Sequence, residues 1–114
     1  MDWRDRAARN EEIYRSVNER IEATARRHGF DQELSFHCEC GDGECLTTIT
    51  MQATDYDRIA ADPARFVVAP KHDDDAIERV VERTPTYLVV EKIGEARRQI
   101  DRDHPRPRHS ADGG

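Results

Sequence analysis

In the first quarter of the chain, side chains suited to a buried line recur at intervals of four and three. Trp3, Ala7, Asn10, Tyr14, Val17, Ile21, Thr24 and His28 form one seam of a helix read with the heptad period. Polar members interrupt the seam, and Ile13 widens it toward the face of an ordinary core-packing helix. The pattern predicts a helix over 3–28, with Gly29 as its C-cap. Such a helix is roughly 39 Å long at about 1.5 Å per residue. It either lies across a sheet with its first turns projecting, or packs on another protein or a second copy of the chain.

From Leu34 the period changes to two. Leu34, Phe36, Cys38 and Cys40 alternate with Ser35, His37 and Glu39, and the stretch 46–52 is rich in Thr and Ile. Two antiparallel strands are expected, with Gly41-Asp42-Gly43-Glu44 as the turn. Thr54 reads as the N-cap of a short helix over 55–61, which Asp62-Pro63 ends. Residues 65–69 predict a third strand closed by Pro70.

The stretch 76–83 carries both periods. Ile77, Val80 and Val81 fit a helical stripe behind Asp73–Asp75, whereas the paired valines before Thr84-Pro85-Thr86 and the run 87–92 fit a β-hairpin. The hairpin is the expectation. A last helix over 94–103 precedes a polar tail, 104–114, expected to be disordered. The fold class is therefore α+β: an N-terminal helix (1–29) packed on a small antiparallel sheet within a second segment (30–103).

Composition makes that core small. Apolar residues are 36% of the 114 and charged residues 37%, so reinforcement by a metal or an oligomer interface is expected. The net charge of −6 argues against nucleic acid as the partner. Between 94 and 109 five arginines (97, 98, 102, 106 and 108) face three acids, a modest surplus that a solvated helix and tail explain. No run approaches the ~18 apolar residues of a membrane span. The opening residues lack the apolar centre of a signal peptide, and the cysteine count is odd, so a reducing cytoplasm is the expected compartment.

All three cysteines lie within FHCECGDGEC, residues 36–45. Residues two apart on a strand share a face, so Cys38 and Cys40 can aim their sulfurs at one point. Tetrahedral zinc with Zn–S near 2.3 Å needs sulfurs about 3.8 Å apart, so the chain must bend near Cys40, where Gly41 permits it. Gly43 lets the loop return and bring in Cys45. For the fourth position, alternation turns His37 to the other face, His28 belongs to the helix seam, and His104 and His109 fall in the tail. His72, in the loop after the third strand, is the expected ligand. A Cys3His set leaves no open position and is structural.

Small buried thiols, a redox site and an iron–sulfur cluster are the alternatives. The C-x-C start with a later Cys and His resembles CDGSH-type iron–sulfur proteins. Here, however, the third Cys follows too soon, and position 49 is Ile rather than His.

The order of these features resembles a family of small, largely uncharacterised bacterial proteins, mainly actinobacterial. The resemblance rests on the helix 8–21, Phe36 before Cys38-Glu39-Cys40-Gly41, Cys45, Tyr56, Pro63, the run Phe66 to His72, and Val80 to Lys92. It implies a metal site and no particular activity. The chain departs from the family pattern at Lys71, where Gly is usual before the His.

No nucleophile–base spacing, phosphate-cradling glycine loop or paired-carboxylate motif is present. If His72 left zinc an open position, Glu39, Glu44 or Asp73 could serve as base, but three thiolates weaken the Lewis acidity of the ion. The sequence thus points to a non-catalytic zinc-binding interaction or regulatory protein, with a partner or second copy on helix 3–28. The alternative is a thiol switch in which oxidation of the cysteines releases zinc.

Overall fold

The change of period from helical to alternating is reproduced in a computed structural model, which describes residues 3–29 and 33–104. Helix α1 (Trp3–Arg27) is followed by strands β1 (Glu33–His37) and β2 (Thr48–Gln52) and helix α2 (Ala53–Ala60). Strands β3 (Arg65–Val68), β4 (Glu78–Arg83) and β5 (Leu88–Lys92) and helix α3 (Gly94–Asp103) complete the α+β fold. Gly29 follows α1 with φ +94, the left-handed conformation a C-capping glycine supplies. Residues 105–114, which make up the expected disordered tail apart from His104 and include His109, lie outside the described residues.

Two small antiparallel sheets stand where one was expected. β1 pairs with β2 from Glu33↔Gln52 to His37↔Thr48, and β5 lies between β3 and β4. The separation follows from where β1 stops. The Cys38 amide still donates to Thr47 O, on the β2 side, but the next amide, Glu39 N, donates to Val67 O of β3 (2.8 Å). The chain crosses from one sheet to the other at this step, so Cys38 and Cys40 lie just past the strand end.

Of the ambiguous stretch 76–83, residues 78–83 form β4, in a hairpin with β5 that carries a bulge between Val80 and Glu82, while Ala76 and Ile77 belong to the turn before it. Thr84 closes its loop, accepting the Tyr87 amide on Oγ1 (3.0 Å). Every residue of β5 is buried, and Phe36, Ile49, Met51, Tyr56, Phe66, Val67, Val89 and Val90 form the core around it. Phe36 stacks on Tyr56, with ring centroids 4.6 Å apart.

Two local expectations are corrected. The short helix begins at Ala53, not after Thr54, and has no side-chain cap; β2 runs directly into it through the extended Gln52. The apolar seam of α1 is displaced as well. Its buried line is Ala7, Glu11, Asn18, Glu22 and Ala25, while Val17, Thr24 and His28 are exposed, and so is Ile13. A straight helix of 3.6 residues per turn drifts off a 3.5-residue seam, and here polar groups set the docking. Asn18 holds His37, and the Arg15 guanidinium donates to Ala60 O (2.6 Å) and Arg65 O (2.6 Å) while lying over the Phe66 ring. From Ala7 onward the helix lies against the body, with Ala7 and Glu11 buried.

A second buried polar cluster ties α1 to the other sheet. Lys92, 1% exposed, is bracketed by the carboxylates of Glu11 and Glu78. Burial pushes the Glu11 carboxyl up from 4.5 to about 7; Lys92 opposes the shift, and Glu78 and Cys40 add to it. A carboxyl with a raised folded pKa holds its proton longer in the folded state than in the unfolded chain. The folded state is therefore favoured below about 4.5 and loses that advantage as pH rises through 7, a difference of roughly 3 kcal/mol. Urea denaturation of wild type and Glu11→Gln across this window should show the variant gaining relative to wild type as pH rises. A pH-independent difference would contradict the assignment.

Candidate metal centre

The site begins where Asn18 stops β1. Its Oδ1 accepts the His37 amide (2.8 Å), and its Nδ2 donates to His37 O (2.8 Å) and to Glu39 Oε2 (3.0 Å). Helix α1 thereby occupies the edge of β1 with a side chain, and the chain leaves the strand with alternation intact. Cys38 and Cys40 turn to one side and Glu39 to the other. Glu39 is buried and accepts from Tyr56 OH (2.5 Å), Asn18 and the Val67 amide (2.9 Å). Burial raises its carboxyl pKa against these bonds. Of the three acids considered as a base, Glu39 therefore points into the core, away from the cysteines.

The loop that brings Cys45 back is moulded on α1. A Cβ at Gly41 would sit 2.6 Å from the Ala7 Cβ, so no side chain fits there. Asn10 Nδ2 donates to Gly41 O (3.0 Å) and Tyr14 OH to Asp42 O (3.1 Å). The Cys45 amide closes the turn onto Asp42 O (3.1 Å).

His72 is delivered from the opposite side by β3. The His72 amide donates to Ala69 O (3.0 Å), making a turn with Pro70 at its second position and Lys71 at its third. Lys71 has φ +71. A proline followed by a left-handed residue is the requirement of a type II turn, in which glycine is preferred at the third position. The turn forms with lysine there, at a cost of about 1 kcal/mol.

These two loops gather Cys38, Cys40, Cys45 and His72 so that one ligand atom from each lies within 4.8 Å of all the others. His72 Nδ1 is 3.6 Å from both Cys38 Sγ and Cys45 Sγ. Tetrahedral zinc, with bonds near 2.3 Å to sulfur and 2.0 Å to nitrogen, sets sulfur–nitrogen edges of about 3.6 Å and sulfur–sulfur edges of about 3.8 Å. The group can hold one metal ion. All three cysteines are buried and none is in a disulfide.

The thiols are electrostatically prepared for a cation. A hydrogen bond with Cys38 lowers Cys40 to about 5, and the same bond, with burial, pushes Cys38 up, so the pair share a proton that a metal would displace. Backbone amides support the negative charge: Ala69 N donates to Cys38 Sγ (3.2 Å), and the Asp42 backbone stabilises Cys40.

The other described histidines lie elsewhere. His37 stacks on Tyr14 (3.9 Å), and its ring nitrogens meet the carbonyls of Cys38 (2.6 Å) and Cys45 (2.9 Å), tying the two ends of the cysteine loop together. His28 Nδ1 meets Thr24 O on α1, and His104 is exposed after α3. Cys40 and His72 border an open cleft of about 720 Å³, whose rim mixes Arg6 and Lys71 with Asp42, Glu44 and Asp74. The arginines of α3 pair with its own acids, Arg97 with Asp101 and both Arg98 and Arg102 with Glu95; Arg106 and Arg108 lie outside the described residues. No helix among the described residues is long and apolar enough to cross a membrane.

Sequence reasoning missed Asn10, Tyr14 and Asn18, which brace the site from α1. The polarity of Asn10 and Tyr14 within the predicted seam was the available signal; Asn18 lies outside that seam and carried none. No protein-family model, curated protein or solved structure matches the chain.

Two substitutions test the loop geometry with opposite signs. Lys71→Gly should stabilise the protein by up to about 1 kcal/mol by relieving the left-handed residue. Gly41→Ala should destabilise it by roughly 1–3 kcal/mol, because the new methyl meets the Ala7 side chain and backbone. Chemical denaturation measures both, and the same sign for the two would refute this description of the loops.

Proposed function

We propose that this protein is a non-catalytic zinc-binding interaction or regulatory protein in which Cys38, Cys40, Cys45 and His72 hold a structural zinc ion. The observation that carries the reading is the 3.6 Å spacing of His72 Nδ1 from two cysteine sulfurs contributed by another loop. Three thiolates and an imidazole are a donor set suited to zinc, and four protein ligands leave no position for water or substrate. A spread of 4.8 Å suits a single ion rather than a cluster of several. The metal would join residues 38–45 to the loop after β3. Structural zinc contributes on the order of 10–16 kcal/mol in small peptides, enough to offset a core as limited as this one. A reducing cytoplasm is the compartment that would keep the three thiols available.

Elemental analysis with thiol counting, on protein purified anaerobically, should give one zinc and three thiols per chain. His72→Ala and Cys45→Ser should each lose zinc and unfold at lower denaturant concentration. An iron-containing or metal-free wild-type protein would sink the assignment.

The cleft beside Cys40 favours one second reading, a thiol switch. A hydroperoxide entering there would oxidise the Cys40 thiolate to a sulfenic acid and leave as alcohol, or as water from hydrogen peroxide. Attack by Cys45 would then form a disulfide and release water, and zinc, having lost two ligands, would depart. Near-stoichiometric peroxide should release zinc in a form that thiol reductant restores. Retention of zinc under that treatment would leave the ion purely structural.

A further inference from the structure

The helix face turned away from the sheets is not featureless. The buried line of α1 passes through Ala7, Glu11, Asn18, Glu22 and Ala25. At 3.6 residues per turn, Ser16 and Arg20 lie opposite that line, with Glu12 on one flank and Ile13 and Val17 on the other. Ile13 is 58% exposed and Val17 43%. Neither Glu12 nor Arg20 makes an ion pair with another described residue.

We infer that a second copy of the chain packs antiparallel on this face, with the two-fold axis at Ser16. The inference rests on the interaction-protein reading and identifies its partner. Glu12 and Arg20 each lie four residues, about 6 Å along the axis, from Ser16 on opposite sides. An antiparallel copy therefore sets Glu12 level with the partner's Arg20, and by symmetry does so twice. A parallel copy would set glutamate on glutamate and arginine on arginine, so the charges select the direction. On the apolar flank the same axis produces a row of four side chains: Ile13, the partner's Val17, Val17 and the partner's Ile13. Serine at the crossing point lets the helices approach closely. This is not the seam expected from the sequence, most of which the fold turns inward or leaves polar; Val17 is the member the two faces share. The patch is small, so the dissociation constant is expected to be on the order of 10–100 μM.

Sedimentation equilibrium on the full, zinc-loaded chain tests the pairing. Wild type should approach twice the 13.2 kDa chain mass at roughly 0.5 mM. Glu12→Arg alone and Arg20→Glu alone each set like charges opposite one another twice and should weaken the dimer at least tenfold. An equimolar mixture of the two variants restores both opposite-charge pairs and should return to wild-type mass as a heterodimer. A monomeric wild type at that concentration, or a mixture no heavier than its separate components, overturns the proposal. Zinc per chain, measured on the same samples, reports the metal assignment separately, so failure to pair and failure to hold metal are distinguished.

Discussion

The contact on which the rest of the structure depends is the carboxamide of Asn18 against the backbone of His37. One side chain satisfies both the N–H and the C=O of the last residue of β1, as a neighbouring strand would, and is itself fully buried. A strand edge closed in this way cannot extend its ladder on that side. The chain must leave, and it leaves into the step that carries Cys38, Glu39 and Cys40. Three consequences follow from one residue: the two sheets are separate, Glu39 is drawn under the helix, and the two sulfurs are released from strict strand geometry. Losing that carboxamide would leave buried backbone groups unpaired, at about 1–3 kcal/mol for each.

The same logic runs along the whole inner face of α1. Arg15 donates to carbonyls at the end of α2, and Asn10 and Tyr14 donate to carbonyls of the cysteine loop, while Glu11 accepts from the Lys92 ammonium. A chain with more charged than apolar residues uses its helix less as a greasy lid than as a row of donors for loop carbonyls. Loops without regular partners have unpaired carbonyls, and a helix bearing amides and a guanidinium can satisfy them where leucines could not.

This explains which parts of the fold were legible beforehand. Alternation in 34–37 and 48–52, and the hairpin around Thr84-Pro85-Thr86, follow from side-chain period and turn chemistry, and the structure has them. The four side chains of the candidate centre could be grouped because His37, His28 and the tail histidines had other places to go, and because Pro70 before Lys71 and His72 signals a turn. The orientation of α1 was not legible. A search for an apolar stripe follows Val17 and Ile13, whereas this helix docks through Asn18, Glu11 and Glu22, residue types ordinarily assigned to solvent. The division into two sheets was hidden for the same reason, since it depends on a side chain acting as a strand.

Gly41 gives the arrangement a thermodynamic consequence. Its missing side chain lets the cysteine loop rest directly on Ala7, so the inner surface of α1 and the nest that gathers the sulfurs are two sides of one contact. Neither can shift by an ångström without displacing the other. Any agent that fixes the loop must therefore favour the docked helix, and any agent that grips the helix in its docked position must favour the gathered sulfurs by the same factor. Were the loop to hold a metal and the docked helix a partner, each affinity would carry within it the occupancy of the other.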